Sequence, residues 1–173
     1  YLGYFSGTKT HNEDFESIKD VILQIMRKNE QVYLLIGGQI QLPEEFDEVK
    51  TRIERFKFVV WRNLPRLIAK ADINLMPLEH TTFHSCKSEN KWMEAALVGA
   101  PTVAAWNEEL ERVISDGING YLCKTDADWR ANLQKLIDDQ KLRKKIADAA
   151  YEKVCKSYTT FQMEQDVLKA LIK

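Results

Sequence analysis

In the stretch KSENKWMEAALVGAPTV, residues 87–103, three ionisable side chains recur at helical spacing: Lys87, Lys91 and Glu94. At i, i+4 and i+7 they form one stripe of a helix predicted over 87–98. Lys87 and Glu94 stand about 10 Å apart along its axis. Free backbone N–H groups at the helix start, with Lys87 and the Ser88 hydroxyl, make a site for an anion. Glu94, deeper on the same stripe, can accept two hydrogen bonds from vicinal hydroxyls. A pyrophosphate joined to a ribose presents such a pair of groups at roughly that separation. The other reading of Lys91 and Glu94 is a solvated intrahelical pair, worth about 0.2–0.5 kcal/mol.

Further candidates lie elsewhere in the chain. Ser6-Gly7-Thr8-Lys9 offers a glycine that lets backbone approach a ligand, two hydroxyls and a cation. It is neither a Walker loop nor G-x-G-x-x-G, and an ordinary turn between strand and helix explains it equally. His80, His84 and Cys86 lack a fourth ligand and a zinc-type spacing, so no metal and no cofactor is expected. Trp61 and Trp106 each end an apolar run that reads as a strand, and are suited to touching a base ring or to core packing. No nucleophile elbow or Ser–His–Asp order is present.

These groups must be held by the elements between them. Apolar runs YLGYFSG (1–7), VYLLIGG (32–38), KFVVW (57–61), DINLMPL (72–78), TVAAW (102–106) and GYLCK (120–124) read as six strands. Helical patterns separate them: 13–28 with Asn12 as N-cap, EEFDEVKTRIERF, LPRLIAKA, 87–98 and NEELERVISDG, ended by Gly117. Further helices follow the last strand, one of them capped by Asp139, and TTFQMEQDVLKALIK closes the chain. Strands alternating with helices predict an α/β fold. Its core is a Rossmann-like, doubly wound, parallel six-stranded sheet in the order 3-2-1-4-5-6, with helices on both faces. Ligands of such sheets bind beyond the carboxyl ends of the strands, at the switch between strands 1 and 4. The loops there are SGTKTHN (6–12) and LEHTTFHSCKSEN (78–90), and the second leads directly into the Lys87–Glu94 stripe.

The totals narrow the function further. The 173 residues suffice for one domain with a sizeable core. A formal net charge of −1 argues against a nucleic-acid binder, which needs a basic surface. No apolar run is long enough to span a bilayer. The first residues lack the basic leader and apolar segment of a signal peptide, and their abrupt strand suggests a piece of a longer chain. Three widely spaced cysteines, Cys86, Cys123 and Cys155, point to a reducing cytoplasm rather than a disulfide framework.

The segments ADINLMPLE, FHSCKSENKWMEAALVGAPTVAA, ISDGINGYLCKT and DWRANLQKLI together resemble the nucleotide-sugar-binding C-terminal half of GT-B glycosyltransferases of family 4, the glycosyl transferases group 1. The resemblance runs from the first strand to about Tyr158. KWMEAALVGAPTV looks like the family's E-A-x-A-x-G-x-P-V signature, and SDGINGYL like its D-G-x-N-G-x-L turn. The resemblance implies a two-domain enzyme that moves a sugar from a UDP- or GDP-linked donor to a glycan, lipid or protein acceptor, with retention and without a metal. It implies that Glu94 is the second glutamate of the E-x7-E motif and holds the donor ribose, while the lysines face the diphosphate. Cys86 stands where the first glutamate belongs, and Lys87-Ser88-Glu89 replaces the usual Gly-Phe-Gly. Glu79, His84 and Glu89 are left to contact the donor sugar. Residues 1–158 are then the donor-nucleotide domain, and 159–173 a helix crossing back to a missing N-terminal domain. Surface-polysaccharide or protein glycosylation is the expected setting, with peripheral contact of the full protein at the inner face of the membrane. A nucleotide-sugar epimerase of the same fold and a non-catalytic interaction module are the competing readings.

Overall fold

The computed structural model describes residues 1–6, 12–57, 59–78, 89–160, 162 and 164. One sheet of six parallel strands runs in the order β3-β2-β1-β4-β5-β6, as the alternation of strands and helices predicts. The strands are β1 Leu2–Phe5, β2 Leu34–Gly37, β3 Ile53–Phe56, β4 Ile73–Met76, β5 Thr102–Ala105 and β6 Tyr121–Cys123. β1 lies at the centre, with Leu2 in register with Leu34 of β2 on one side and with Ile73 of β4 on the other. Its alternate side chains feed two cores: Leu2 and Tyr4 enter the larger, Phe5 the smaller. Such two-sided burial is what makes parallel strands read as unbroken apolar runs.

The larger core is closed by α2 Lys19–Lys28, α6 Asp126–Asp138 and α7 Gln140–Ser157. The smaller lies under α3 Leu64–Ile68 and one side of α4 Asn90–Leu97. Two further short helices, α1 Asn12–Glu16 and α5 Glu108–Val113, follow β1 and β5. Asp139 does cap α7, accepting from the Leu142 N–H at 2.9 Å. Thr125 and Asp128 form a capping box at the start of α6.

Several boundaries differ from the sequence expectation, each for a local reason. The third strand is Ile53–Phe56, not KFVVW (57–61). Residues Glu44–Arg52 form a 3₁₀ helix that stops when the Arg52 guanidinium turns back to the end of α2. There it donates to the carbonyls of Met26, Asn29, Glu30 and Val32, at 2.8, 3.0, 3.3 and 3.1 Å. This anchor sets the next four residues beside β2, and as an edge strand they need not be apolar throughout. The run expected over 13–28 is two helices, because the Ser17 hydroxyl donates to the Asp14 carbonyl at 2.7 Å and competes with the helical ladder. Asn12 is helical rather than an N-cap, and its side-chain amide oxygen accepts from the Gln41 N–H at 3.2 Å. The helix expected over 107–117 ends at Val113, with Asn107 as its cap and Gly117 in the turn beyond. Segment 159–173 lies almost wholly outside the described residues.

Two features fix the elements around the switch point. At the ends of β1 and β2 the backbone passes itself closely. Gly38 has φ +108°, and a Cβ there would sit 1.9 Å from the Ser6 carbonyl oxygen. The Ser6 N–H donates to the Gly37 carbonyl at 2.9 Å, and the Gly38 N–H to the Phe56 carbonyl at 3.0 Å. Only glycine fits that crossing.

The second feature holds α4. The helix starts at Asn90 after Glu89, whose side chain makes no capping bond, and the first two residues of the predicted 87–98 helix lie outside the described residues. It ends in a Schellman motif. The Ala100 N–H donates to the Ala95 carbonyl at 3.0 Å and the Gly99 N–H to Ala96 at 3.1 Å, with Gly99 at φ +79°. Trp92, fully buried on α4, donates its indole N–H to the Asn119 carbonyl at 3.0 Å. Asn119 is itself locked, its side chain accepting from the Ser115 N–H at 2.7 Å and donating to the Val113 carbonyl at 3.2 Å. Asp116 accepts from the Leu122 N–H at 2.8 Å, and Gly117 turns at φ +72°. A side chain at Gly120 would press on Ile114 and the Thr102 carbonyl, at 3.0 and 3.2 Å. The SDGINGYL turn is thus a clamp that grips α4 through Trp92.

Two substitutions test these features. Trp92→Phe keeps the apolar bulk and strands a buried carbonyl, so urea unfolding shows a loss of about 1–3 kcal/mol. An unchanged midpoint refutes the clamp. Gly38→Ala forces both a strained φ and a backbone collision, and lowers stability by about 2–4 kcal/mol in the same measurement.

Candidate functional site

A cleft of about 630 Å³, counting its solvent-open part, lies at the carboxyl ends of the strands. It occupies the region predicted for a ligand in a doubly wound sheet, where the chain switches from β1 to β4. Its walls come from six segments. Phe5 and Ser6 follow from β1, Gly37 and Gly38 from β2, and Lys57 and Val59 from the end of β3. Leu64, Leu67 and Ile68 stand on α3, while Lys91 and Glu94 stand on α4. Asn74 of β4 also lines it, fully buried, with its amide donating to the Thr102 hydroxyl at 3.1 Å. The lining is mostly apolar with a few placed polar groups, as ligand clefts commonly are.

The orientation of α4 brings its charged pair here. With Trp92 and Ala96 packed into the larger core and Ala95 into the smaller, residues 91 and 94 must face the cleft. The Lys91 ammonium lies 5.2 Å from the centre of the Tyr4 ring. Tyr4 is fully buried, and that burial, aided by the Asp14 charge, raises its phenol far above the usual range, so it stays neutral beneath the cation. Glu94 stands at the rim, exposed on one side. Desolvation by the cleft wall raises its carboxyl above the ordinary 4.5, and the Lys91 charge opposes that rise. Lys57 adds a second cation to the lining.

Of the residues proposed from sequence, Ser6 and Glu94 are brought together in this cleft. Trp61 does not join them. It does not end a strand but opens a 3₁₀ helix, Trp61–Asn63, and is 76% exposed outside the cleft lining, with the Arg62 guanidinium 5.3 Å from its ring. Glu89 precedes α4 on another side, close enough to Tyr158 to help burial raise that phenol. Gly7, Thr8, Lys9, His84, Lys87 and Ser88, together with Glu79, His80 and Cys86, lie outside the described residues. Trp106 follows β5, with the Lys124 ammonium 4.3 Å from its ring.

Sequence reasoning missed Gly37, Gly38, Lys57, Val59 and Asn74. Paired glycines closing β2 were visible as a stop signal and also line the cleft. The wall formed by Lys57 and Val59 was hidden because that segment reads as a strand.

Among solved structures, the C-terminal domain of the glycosyl transferase group 1 family protein LpcC from Francisella tularensis is similar over 92% of this chain and 86% of that domain. The TM-score is 0.70 at 22% identity. Anabaena Alr3699/HepE, solved in complex with UDP, is similar over 98% of this chain, with TM-score 0.77 and 19% identity. TarM from S. aureus, solved with UDP among its ligands, reaches TM-score 0.77 at 14% identity over 97% of this chain. This chain spans 48% of the HepE chain and 34% of the TarM chain. At these identities the likeness establishes the fold, that of GT-B C-terminal domains. No curated protein sequence matches significantly. The profile of the glycosyl transferases group 1 matches residues 1–139, and the chain belongs to that family.

Proposed function

We propose that this chain is the donor-binding half of a retaining, metal-independent glycosyltransferase of family 4, taking a UDP-linked sugar. The observation that carries the reading is the placement of Lys91 and Glu94 on one face of α4, lining an apolar cleft at the β1–β4 switch. A flat base fits between the backbone of Gly37 and Gly38 and the side chains of Val59, Leu64 and Leu67. The Glu94 carboxylate, at the rim, accepts hydrogen bonds from the ribose hydroxyls. Lys91, with Lys87, Ser88 and the first N–H groups of α4, faces the diphosphate. HepE and TarM, solved with UDP, support uridine as the base.

In this reading the reaction breaks the bond between the anomeric carbon and the diphosphate, and negative charge grows on the departing phosphate oxygen. Fixed cations and N–H dipoles aimed at that oxygen lower the barrier and take the place a metal fills in other transferases. The acceptor side would come from a domain of the longer protein, and that protein would work in the cytoplasm or at the inner face of the membrane. Cys86, standing where the first motif acid belongs, favours one competing reading, a nucleotide-binding module without transferase activity.

Calorimetric titration tests the assignment. UDP binds the 173-residue chain, and Glu94→Gln weakens it about 10–100-fold, the range for a hydrogen bond to a charged group. Glu94 also sets a pH dependence. Its ionised form accepts from both hydroxyls, and its folded carboxyl is raised, so affinity falls as pH drops through a value above 4.5. Glu94→Gln removes that fall. The linkage to stability has the opposite sign: the free chain loses the benefit of the neutral carboxyl as pH rises through the same value. The chain alone binds the donor and gives no transfer. Undetectable binding of any nucleotide refutes the reading, and equal affinity of Glu94→Gln refutes the role of that residue.

A further inference from the structure

The described residues include four buried asparagines, Asn29, Asn74, Asn119 and Asn132. In three of them both ends of the side-chain amide are matched. Asn29 donates to the Ile25 carbonyl at 2.9 Å and accepts from the Gln134 amide at 3.2 Å. Asn119 accepts from the Ser115 N–H and donates to the Val113 carbonyl. Asn132 donates to the Cys123 sulfur at 3.6 Å and accepts from the Lys135 ammonium at 3.2 Å. Asn74 differs. Its amide nitrogen donates to the Thr102 hydroxyl, while its oxygen has no donor among the described residues. A buried acceptor without a donor destabilises the fold, so such a group calls for an explanation. Unlike the Trp106 indole nitrogen, this oxygen is not closed off inside the protein, and Asn74 lines the cleft beside Phe5, Leu67 and Ile68.

We propose that Asn74 reads the base of the bound nucleotide, its amide oxygen accepting a hydrogen bond from the N3–H of uracil. The inference rests on the reading of the cleft as a UDP site. With its phosphates ionised, UDP carries only three kinds of strong donor: the two ribose hydroxyls and the base N3–H. Glu94 takes the hydroxyls at the rim. One donor is then left on the ligand, and Asn74 leaves one acceptor in the cleft. The depth of the residue agrees. The ribose joins uracil at N1, so with the ribose at the rim the far edge of the ring, which carries N3–H, points inward. Asn74 lies there at 3% exposure. Thr102 is a positioning partner. Its hydroxyl, fully buried on the neighbouring strand β5, holds the amide nitrogen on that side and leaves the oxygen to the cleft. A side chain that matches one end of the base and leaves the fold incomplete without it supplies specificity, because a ligand lacking the donor leaves the acceptor unpaired.

Calorimetric titration with UDP and with 3-methyl-UDP, which lacks the N3 proton, tests the proposal. The unaltered chain prefers UDP by about 10–100-fold, the range for a buried polar group left unpaired. Asn74→Leu weakens UDP by a similar factor and leaves 3-methyl-UDP nearly unchanged, so the preference falls to within a few-fold. A purely structural role of Asn74 would lower both ligands together and keep their ratio. Because Asn74→Leu strands the Thr102 hydroxyl, the double variant Asn74→Leu/Thr102→Val is titrated beside it. It replaces both partners by apolar groups, keeps the melting temperature of the unaltered chain or exceeds it, and shows the same loss of preference. Equal binding of UDP and 3-methyl-UDP by the unaltered chain overturns the role of Asn74, as does a preference that survives in the double variant, and either result leaves UDP binding by the cleft intact. Undetectable binding of UDP to the unaltered chain overturns the reading of the cleft and this inference with it.

Discussion

The hydrogen bond from the Trp92 indole to the Asn119 carbonyl governs the geometry of the site. A buried indole N–H needs an acceptor, and a buried carbonyl needs a donor, so each leaves the other a single satisfactory position. Side chains on a helix stand at fixed angles to one another. Once Trp92 is pinned, the directions of Lys91 and Glu94 follow. The Schellman motif at Gly99 sets where α4 stops, and the clamp sets how it is rotated. Neither device touches a ligand, yet together they set Lys91 and Glu94 in the lining of one cleft.

That placement has an electrostatic cost in the free chain. The cleft wall removes water from one side of Glu94 and disfavours its charged form, while Lys91 only partly compensates. A hydroxyl-bearing ligand supplies the donors that water no longer provides. The floor contributes rigidity. Where Ser6 and Gly38 cross, backbone lies against backbone, and the cleft has no side chain there that could swing aside. Shape is therefore built into the main chain at one end of the cleft, and charge is presented by side chains at the other.

How much of this could be read in advance differs by element. The sheet order followed from apolar runs and helical spacing alone, because parallel strands buried on both faces leave a strong pattern. The third strand did not, since IERF at an edge carries no such pattern, and the apolar run after it is cleft wall. Arg52, which decides where that strand begins, acts through four carbonyls of a distant helix end, and no local spacing signals that. Glu94 was legible as a carboxylate on an otherwise apolar helix. The SDGINGYL turn was legible as a family signature but not as a clamp, for its key acceptor is a main-chain carbonyl that belongs to every residue alike. Lys57 and Asn74 were invisible because their relevance depends on which strand ends meet.

The two outermost strands deserve comparison. β3 carries Glu54 and Arg55 within its four residues, and its neighbour Lys57 follows at once; the Tyr1 hydroxyl donates to Glu54 at 2.6 Å. β6 has only three residues and is followed directly by α6. An open sheet ends in unpaired N–H and C=O groups that invite a further chain to add on. Here one border is defended by ionic side chains and the other by brevity, so neither offers a long apolar ribbon for edge-to-edge growth into aggregates.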